Sequence, residues 1–231
     1  MGIAEALEAV EERIERVCLR SGRKREEIRL LGVSKFHTAV TVEEAWNAGI
    51  RFFGESRVQE AASKFASFKP AHPGTELHLI GSLQRNKAKI AADLFDVVQS
   101  VDREELIATL GSLTGDRKDP LMILLEYHTA EESKSGFPNL DSLFRGTEKA
   151  LEFPGLSLRG LMTIAPYTED EGRIRASFRE AVSARDALAL RFPGADWSCL
   201  SMGMSGDFEI AIEEGSTLLR IGTAIFGERS P

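Results

Sequence analysis

Eight times along this chain an apolar or β-branched run of strand length gives way to a stretch with helical spacing. The runs fall at 28–34, 50–54, 76–81, 96–101, 121–127, 157–164, 197–202 and 217–226. Between them lie helix-like segments such as VQEAASKFASF, NLDSLFRGTEKAL and the long stretch 169–190, where Ile174, Phe178 and Val182 recur every four residues. Strands that alternate with helices pair in parallel, because the crossover helix returns the chain to the same end of the sheet. Two α/β architectures satisfy this pattern: a closed (β/α)8 TIM barrel and an open doubly wound sheet. The count of eight favours the barrel, as does a length of 231 residues, near the ~250 typical of that fold. No GxGxxG follows the first strand, which weakens a dinucleotide-binding sheet. Residues 1–231 read as a single domain. Before the first strand, Ile3, Ala6, Leu7, Val10, Ile14 and Val17 form one face of an extra N-terminal helix. That helix is expected to cover the bottom of the barrel.

Charge and composition exclude several partner classes. The formal net charge is -7, which repels polyanions, so nucleic acid is not expected as a partner. The short basic run Arg85, Lys87, Lys89 reads as a solvated helix face. No stretch is long and apolar enough for a membrane span, and the N-terminus lacks a signal-peptide core. The two cysteines, Cys18 and Cys199, form no CxxC pair and suit buried thiols in a reducing compartment. A cytoplasmic location is expected. His37, His72, His78 and His128 show no metal-ligand spacing, so no metal site is expected. No apolar stripe stands out, and a monomer is expected.

In a (β/α)8 barrel the functional site lies at the C-terminal ends of the strands. Strand one ends in Ser34-Lys35, strand two in Gly54-Glu55-Ser56-Arg57, strand three at Gly81-Ser82 and strand six at Met162-Thr163. Strand seven runs into Ser201-Met202-Gly203-Met204-Ser205, and strand eight carries Arg220-Ile221-Gly222-Thr223. Lys35 stands out: desolvation at the barrel mouth disfavours its ammonium and frees the amine as a nucleophile for a carbonyl. The plainer alternative is a solvated lysine. Phosphate is often held by the loops after strands seven and eight. Ser205, ahead of the helix-like DFEIAIEEG, and Gly222-Thr223 occupy those two places. A helix cap and a small-residue turn are the competing reading. Strand alternation puts Arg220 on the same side as Gly222. Its partner is either a carboxylate or a ligand acceptor. Lys134, in the polar loop after strand five, is a second amine, held less firmly. No GxSxG or P-loop is present.

The stretches LLGVSKFHTAVTVEEAWNAGIRFFGESRVQEA, HLIGSLQRNKAK, EESKSGF, RGLMTIAP and LSMGMSGDFEIAIEEGSTLLRIGTAIFGER together resemble the YggS/PROSC-type pyridoxal phosphate homeostasis family. The resemblance runs from about residue 28 to residue 229. It implies an alanine-racemase N-terminal type of barrel that binds pyridoxal 5′-phosphate (PLP) as a Schiff base on Lys35. It implies phosphate contacts from Ser205, Gly222 and Thr223, and Arg220 facing the pyridine nitrogen. Ser201, Met202, His78 and Gly81 would line the same mouth. Ser56, a shorter side chain, stands at that cofactor contact where the family usually has Asn.

An arginine beside the pyridine nitrogen cannot take up a proton, and PLP is a poor electron sink without a proton on that nitrogen. Racemases of this barrel type draw a second base from a C-terminal domain, for which the chain after strand eight has no room. Its only tyrosines are Tyr127 and Tyr167. The expectation is therefore a carrier or buffer that holds PLP and passes it to apo PLP-dependent enzymes, not an enzyme. The rivals are a weak amino-acid racemase, with Lys134 or a tyrosine as second base, and a PLP-free Schiff-base aldolase.

Overall fold

The eight runs form eight parallel strands that hydrogen-bond in chain order and close on themselves, first strand to last. The computed structural model describes residues 2–115, 117–130 and 135–228. After the helix α1 (Ile3–Ser21) come β1 (Arg29–Val33), α2 (Ala39–Asn47), β2 (Phe52–Glu55) and α3 (Val58–Ala71). Then follow β3 (Glu76–Leu79), α4 (Ala88–Leu94), β4 (Val97–Val101), α5 (Glu104–Leu113), β5 (Leu121–Glu126) and α6 (Leu140–Leu151). The chain closes with β6 (Leu156–Met162), α7 (Glu171–Arg191), β7 (Cys199–Ser201), α8 (Phe208–Glu213), β8 (Leu218–Ile221) and α9 (Thr223–Phe226).

Strand periodicity splits the core in two. One set of side chains, including Leu30, Phe53, Leu77, Leu79, Leu200 and Leu219, joins the large cluster between barrel and helices. The alternate set fills the lumen in two small clusters, Leu31 with Val33 and Leu218, and Val97 with Leu124 and Met162. Lys64 is the exception on the buried face of α3: it lies between Ala61, Phe65 and Phe68 and is itself buried. Close strand contact explains Gly160, whose φ is +141°; a Cβ there would lie 1.8 Å from the Cys199 carbonyl oxygen across the β6–β7 pair.

Two expectations need correction. The eighth run does not stay extended to residue 226. It leaves the sheet after Ile221, and Thr223–Phe226 makes one helical turn. β-branched composition marks a strand only weakly over four residues, and Gly222 breaks the ladder. Nor does α1 cover the bottom of the barrel. Because α9 is so short, the outer ring has a gap, and α1 fills it, packing against α8, α9 and α2. The Arg13–Glu209 and Arg20–Glu213 ion pairs hold α1 to α8. The N-terminal end of the barrel is left with a cavity of about 550 Å³. Among the described residues no helix is long and apolar enough to cross a membrane.

Candidate functional site

At the C-terminal end of β1 the backbone of Ser34 still donates to Gly54 O (3.1 Å). The buried Ser34 side chain turns outward and donates to Glu55 Oε1 (2.7 Å). Its neighbour Lys35, half-buried, begins the turn that follows the strand at the barrel mouth. That turn is unusual. Phe36 has a φ of +68°, the left-handed region that a bulky residue rarely adopts.

What holds this turn is a buried charge cluster. Lys64 Nζ donates to Ser34 O (2.9 Å) and His37 O (3.2 Å), one on each side of Lys35. The same ammonium pairs with Glu55 Oε1 (2.7 Å) and Glu60 Oε1 (2.9 Å). Glu60 in turn accepts the Phe36 N–H (2.5 Å). Glu55 is fully buried, and burial pushes its carboxyl above the usual range, against the pull of Lys64 and Ser34. Among the described residues its second oxygen, Oε2, has no hydrogen-bond partner. The reactive-amine candidate thus sits on a loop clamped from beneath.

Across the mouth, the loops after β7 and β8 meet. The Ala224 N–H, in the first turn of α9, donates to Ser205 Oγ (3.3 Å), which brings Ser205, Gly222 and Thr223 together. The Asp207 carboxylate accepts the Met204 N–H (2.5 Å) and tightens the approach to α8. Between these loops and the floor lies Arg220, which is 4 % exposed. Its guanidinium donates to Ser201 Oγ (2.7 Å) and to Thr163 O (2.8 Å). Burial lowers its pKa to about 10, with Asp207 and Glu126 opposing the shift, so it remains a cation at neutral pH. Among the described residues no carboxylate lies within ion-pair distance of it, which leaves a ligand acceptor as the partner its remaining N–H groups fit.

On the strand-two and strand-three side, Ser56 is half-buried beside Gly81. A Cβ on Gly81 would lie 2.3 Å from the Ser56 carbonyl oxygen, so only glycine lets these two loops pass. Ser100 Oγ donates to Gly81 O (2.6 Å) and fixes that approach.

Two of the expected mouth residues are not brought there. Met202 is wholly buried in the core between barrel and helices, since Ser201 beside it takes the lumen-facing position. His78 does face the lumen, but lower: its ring bonds to Glu76 and Gln99, and it lines the cavity at the opposite end. Lys134 lies outside the described residues. Tyr127, one of the candidate bases, donates its hydroxyl to Glu180 on α7 (2.8 Å), and burial raises its pKa. Tyr167 is fully exposed.

Sequence reasoning named Glu55 at the end of strand two but gave it no role, and it missed Lys64, Gln99 and Glu126. Signals existed for two of them: Lys64 interrupts the apolar face of its helix, and Gln99 is a lone amide inside VVQSV. Glu126 ends β5 as a buried carboxyl whose pKa is raised by burial, although Ser135 donates to it (2.5 Å). A raised carboxyl pKa means the folded state holds the proton more tightly than the unfolded state. Its stabilising contribution is therefore present below the unfolded value of about 4.3 and is lost as pH rises through the folded value. The Glu126→Gln variant should gain stability over wild type as pH rises above the unfolded value, and the gain should level off once the folded-state carboxyl has ionised. Urea denaturation across the range checks this, and a difference independent of pH would contradict it.

The family model of the alanine racemase N-terminal domain matches residues 6–230. The pyridoxal phosphate homeostasis protein of Vibrio cholerae is 41% identical over 98% of this chain and 96% of its own length. That of Escherichia coli K12 is 41% identical over 98% of this chain and 97% of its own. The structure of PipY from Synechococcus elongatus with PLP bound superposes with a TM-score of 0.85 at 34% identity, over 97% of this chain and all of that one. Alanine racemase from Bacillus anthracis shares the fold, with a TM-score of 0.70 at 18% identity, and this chain spans 57% of its length. With a closed eight-stranded barrel, a strand-one lysine at its mouth and full-length relatives of one name, the chain belongs to the pyridoxal phosphate homeostasis protein family.

Proposed function

We propose that this protein binds PLP at the C-terminal mouth of the barrel through Lys35 and acts as a carrier in PLP homeostasis. The observation that carries the reading is the pairing of a strand-one lysine, on a loop clamped at its backbone, with a buried guanidinium that has no carboxylate within ion-pair distance among the described residues. PLP supplies an aldehyde that condenses with amines and a ring that withdraws electrons. Lys35 provides the amine. The Lys64 clamp limits where that amine can reach, which lowers the entropy lost on attachment. Ser205, Gly222 and Thr223 offer a hydroxyl pair and backbone N–H groups to the phosphate.

Arg220 offers N–H donors to the ring nitrogen and, as a cation at neutral pH, has no lone pair to accept a proton from it. That arrangement favours holding the cofactor over stabilising a carbanion. The relatives that match over their whole length carry the homeostasis name, which supports the same reading. Recipients on this reading are apo PLP-dependent enzymes, and the carrier works as a monomer.

Borohydride reduction of the PLP-loaded protein, followed by peptide mass mapping, tests it. The mass addition is expected on the peptide containing Lys35 and is expected to vanish in Lys35→Ala together with the yellow colour. Colour undiminished in that variant would sink the proposal. Steady α-deuteration of a single amino-acid enantiomer in deuterated water would replace the carrier with an enzyme.

A further inference from the structure

A line of polar side chains crosses the lumen from the mouth to the floor. Arg220 donates to Ser201 Oγ (2.7 Å), and Ser201 Oγ donates to Gln99 Oε1 (2.7 Å). That leaves Gln99 Nε2 to donate to His78 Nδ1 (2.8 Å). With Nδ1 accepting, the imidazole proton sits on Nε2, which donates to Glu76 Oε1 (2.7 Å). Every bond points the same way, from a guanidinium to a carboxylate. Reversing one link alone would set two donors or two acceptors face to face, at a cost of about 1–3 kcal/mol for a buried group left unpaired. The links are therefore coupled.

The carboxylate end of this line opens on the 550 Å³ cavity at the N-terminal end of the barrel. The rim carries three guanidinium groups and four carboxylates. Arg23 pairs with Glu27 (3.2 Å) and Arg159 with Asp196 (2.8 Å). Glu76 already accepts from His78. Arg29 and Glu26 remain; both are exposed to solvent, and among the described residues neither makes an ion pair, although the Arg29 charge pulls the Glu76 carboxyl downward and its guanidinium lies over the Phe52 ring at 5.8 Å. Val97, Met122, Leu124 and Leu218 supply an apolar wall. A simple anion would meet a rim with an excess of carboxylates, and a simple cation would meet Arg29. A zwitterion with an apolar body satisfies the unpaired guanidinium, the unpaired carboxylate and the wall together.

We propose that this cavity is a second ligand site, for an α-amino acid with an aliphatic side chain. Its carboxylate is held by Arg29 and its ammonium by Glu26 and Glu76, and the polar line carries its occupancy to Arg220. Positive charge beside Glu76 weakens the carboxylate that anchors the line, and each donor upstream responds. Only the effect on the cofactor rests on the PLP reading above; binding itself does not.

The probe is N,N-dimethyl-L-leucine, whose tertiary ammonium keeps its charge but cannot condense with an aldehyde. Calorimetric titration of the PLP-free protein is expected to show saturable binding that weakens about tenfold or more in Arg29→Ala and is unchanged in Lys35→Ala; bound PLP should change that affinity only while the polar line is intact. The His78 ¹⁵N ring resonances should shift on binding. In the PLP-loaded protein the visible absorption should shift too, and Gln99→Leu should abolish that shift while binding persists. No saturable binding, or binding indifferent to Arg29→Ala, overturns the site. A visible shift that survives Gln99→Leu overturns the coupling.

Discussion

The Lys64→Met variant is expected to lose about 3–5 kcal/mol of stability, which lowers Tm by roughly 6–20 °C for a chain of this size. Lys64 is the counter-ion of the fully buried Glu55, and methionine fills similar volume without the charge. The deficit arises from the carboxylate left behind, not from a lost hydrophobic contact. Two consequences separate this cause from simple loss of packing. Adding Glu55→Gln to Lys64→Met should recover much of the loss, because no buried charge then remains unpaired. The deficit should also grow with pH. Without Lys64 the Glu55 pKa in the folded state rises further above its unfolded value. The folded state then holds its proton until higher pH, and stability is lost as pH rises through that value. Thermal denaturation of the single and double variants across pH checks both. A pH-independent loss that the double variant does not relieve would refute this account of the cluster. Lys64 also donates to the carbonyls of Ser34 and His37, so the same variant should loosen the loop that carries Lys35.

Arg220→Leu is expected to weaken PLP binding by about ten- to a hundredfold, the value of one charge-assisted hydrogen bond of about 1.5–3 kcal/mol. Stability should change less than affinity. Removing the guanidinium leaves Ser201 Oγ and Thr163 O without their donor, but it also removes a cation whose burial is itself costly. Arg220→Lys should resemble Arg220→Leu more than wild type, because a single ammonium cannot span both acceptors and a ligand as the planar fork does. Equilibrium dialysis against PLP with the visible spectrum as readout measures the effect. Affinity unchanged in both variants would remove Arg220 from the site.

How much of this was legible beforehand follows from the range of the interactions involved. The barrel was readable because its signal is local and repeated: a two-residue period within each run and helical spacing between runs, eight times over. The placement of Lys35, Ser56, Gly81, Ser205, Gly222 and Thr223 at or just beyond strand ends was readable for a related reason. In this fold a strand's C-terminal end is at the mouth whatever its partners, so a position in the sequence becomes a position in space. The failures have the opposite character. His78 and Met202 lie in or beside the right strands, but which face and which height each occupies depends on alternation and on stagger around the barrel.

Sequence alone therefore determined the eightfold alternation of strands and helices and the set of residues offered at the strand ends, and favoured closure by its count. Only the tertiary structure decided how charges and amides pair within it. Gln99 and Ser201 meet across 102 residues of chain, and Lys64 reaches Ser34 across 30. Such partners are selected by the register in which eight strands close. That register is a property of the whole ring of hydrogen bonds, which no single segment encodes.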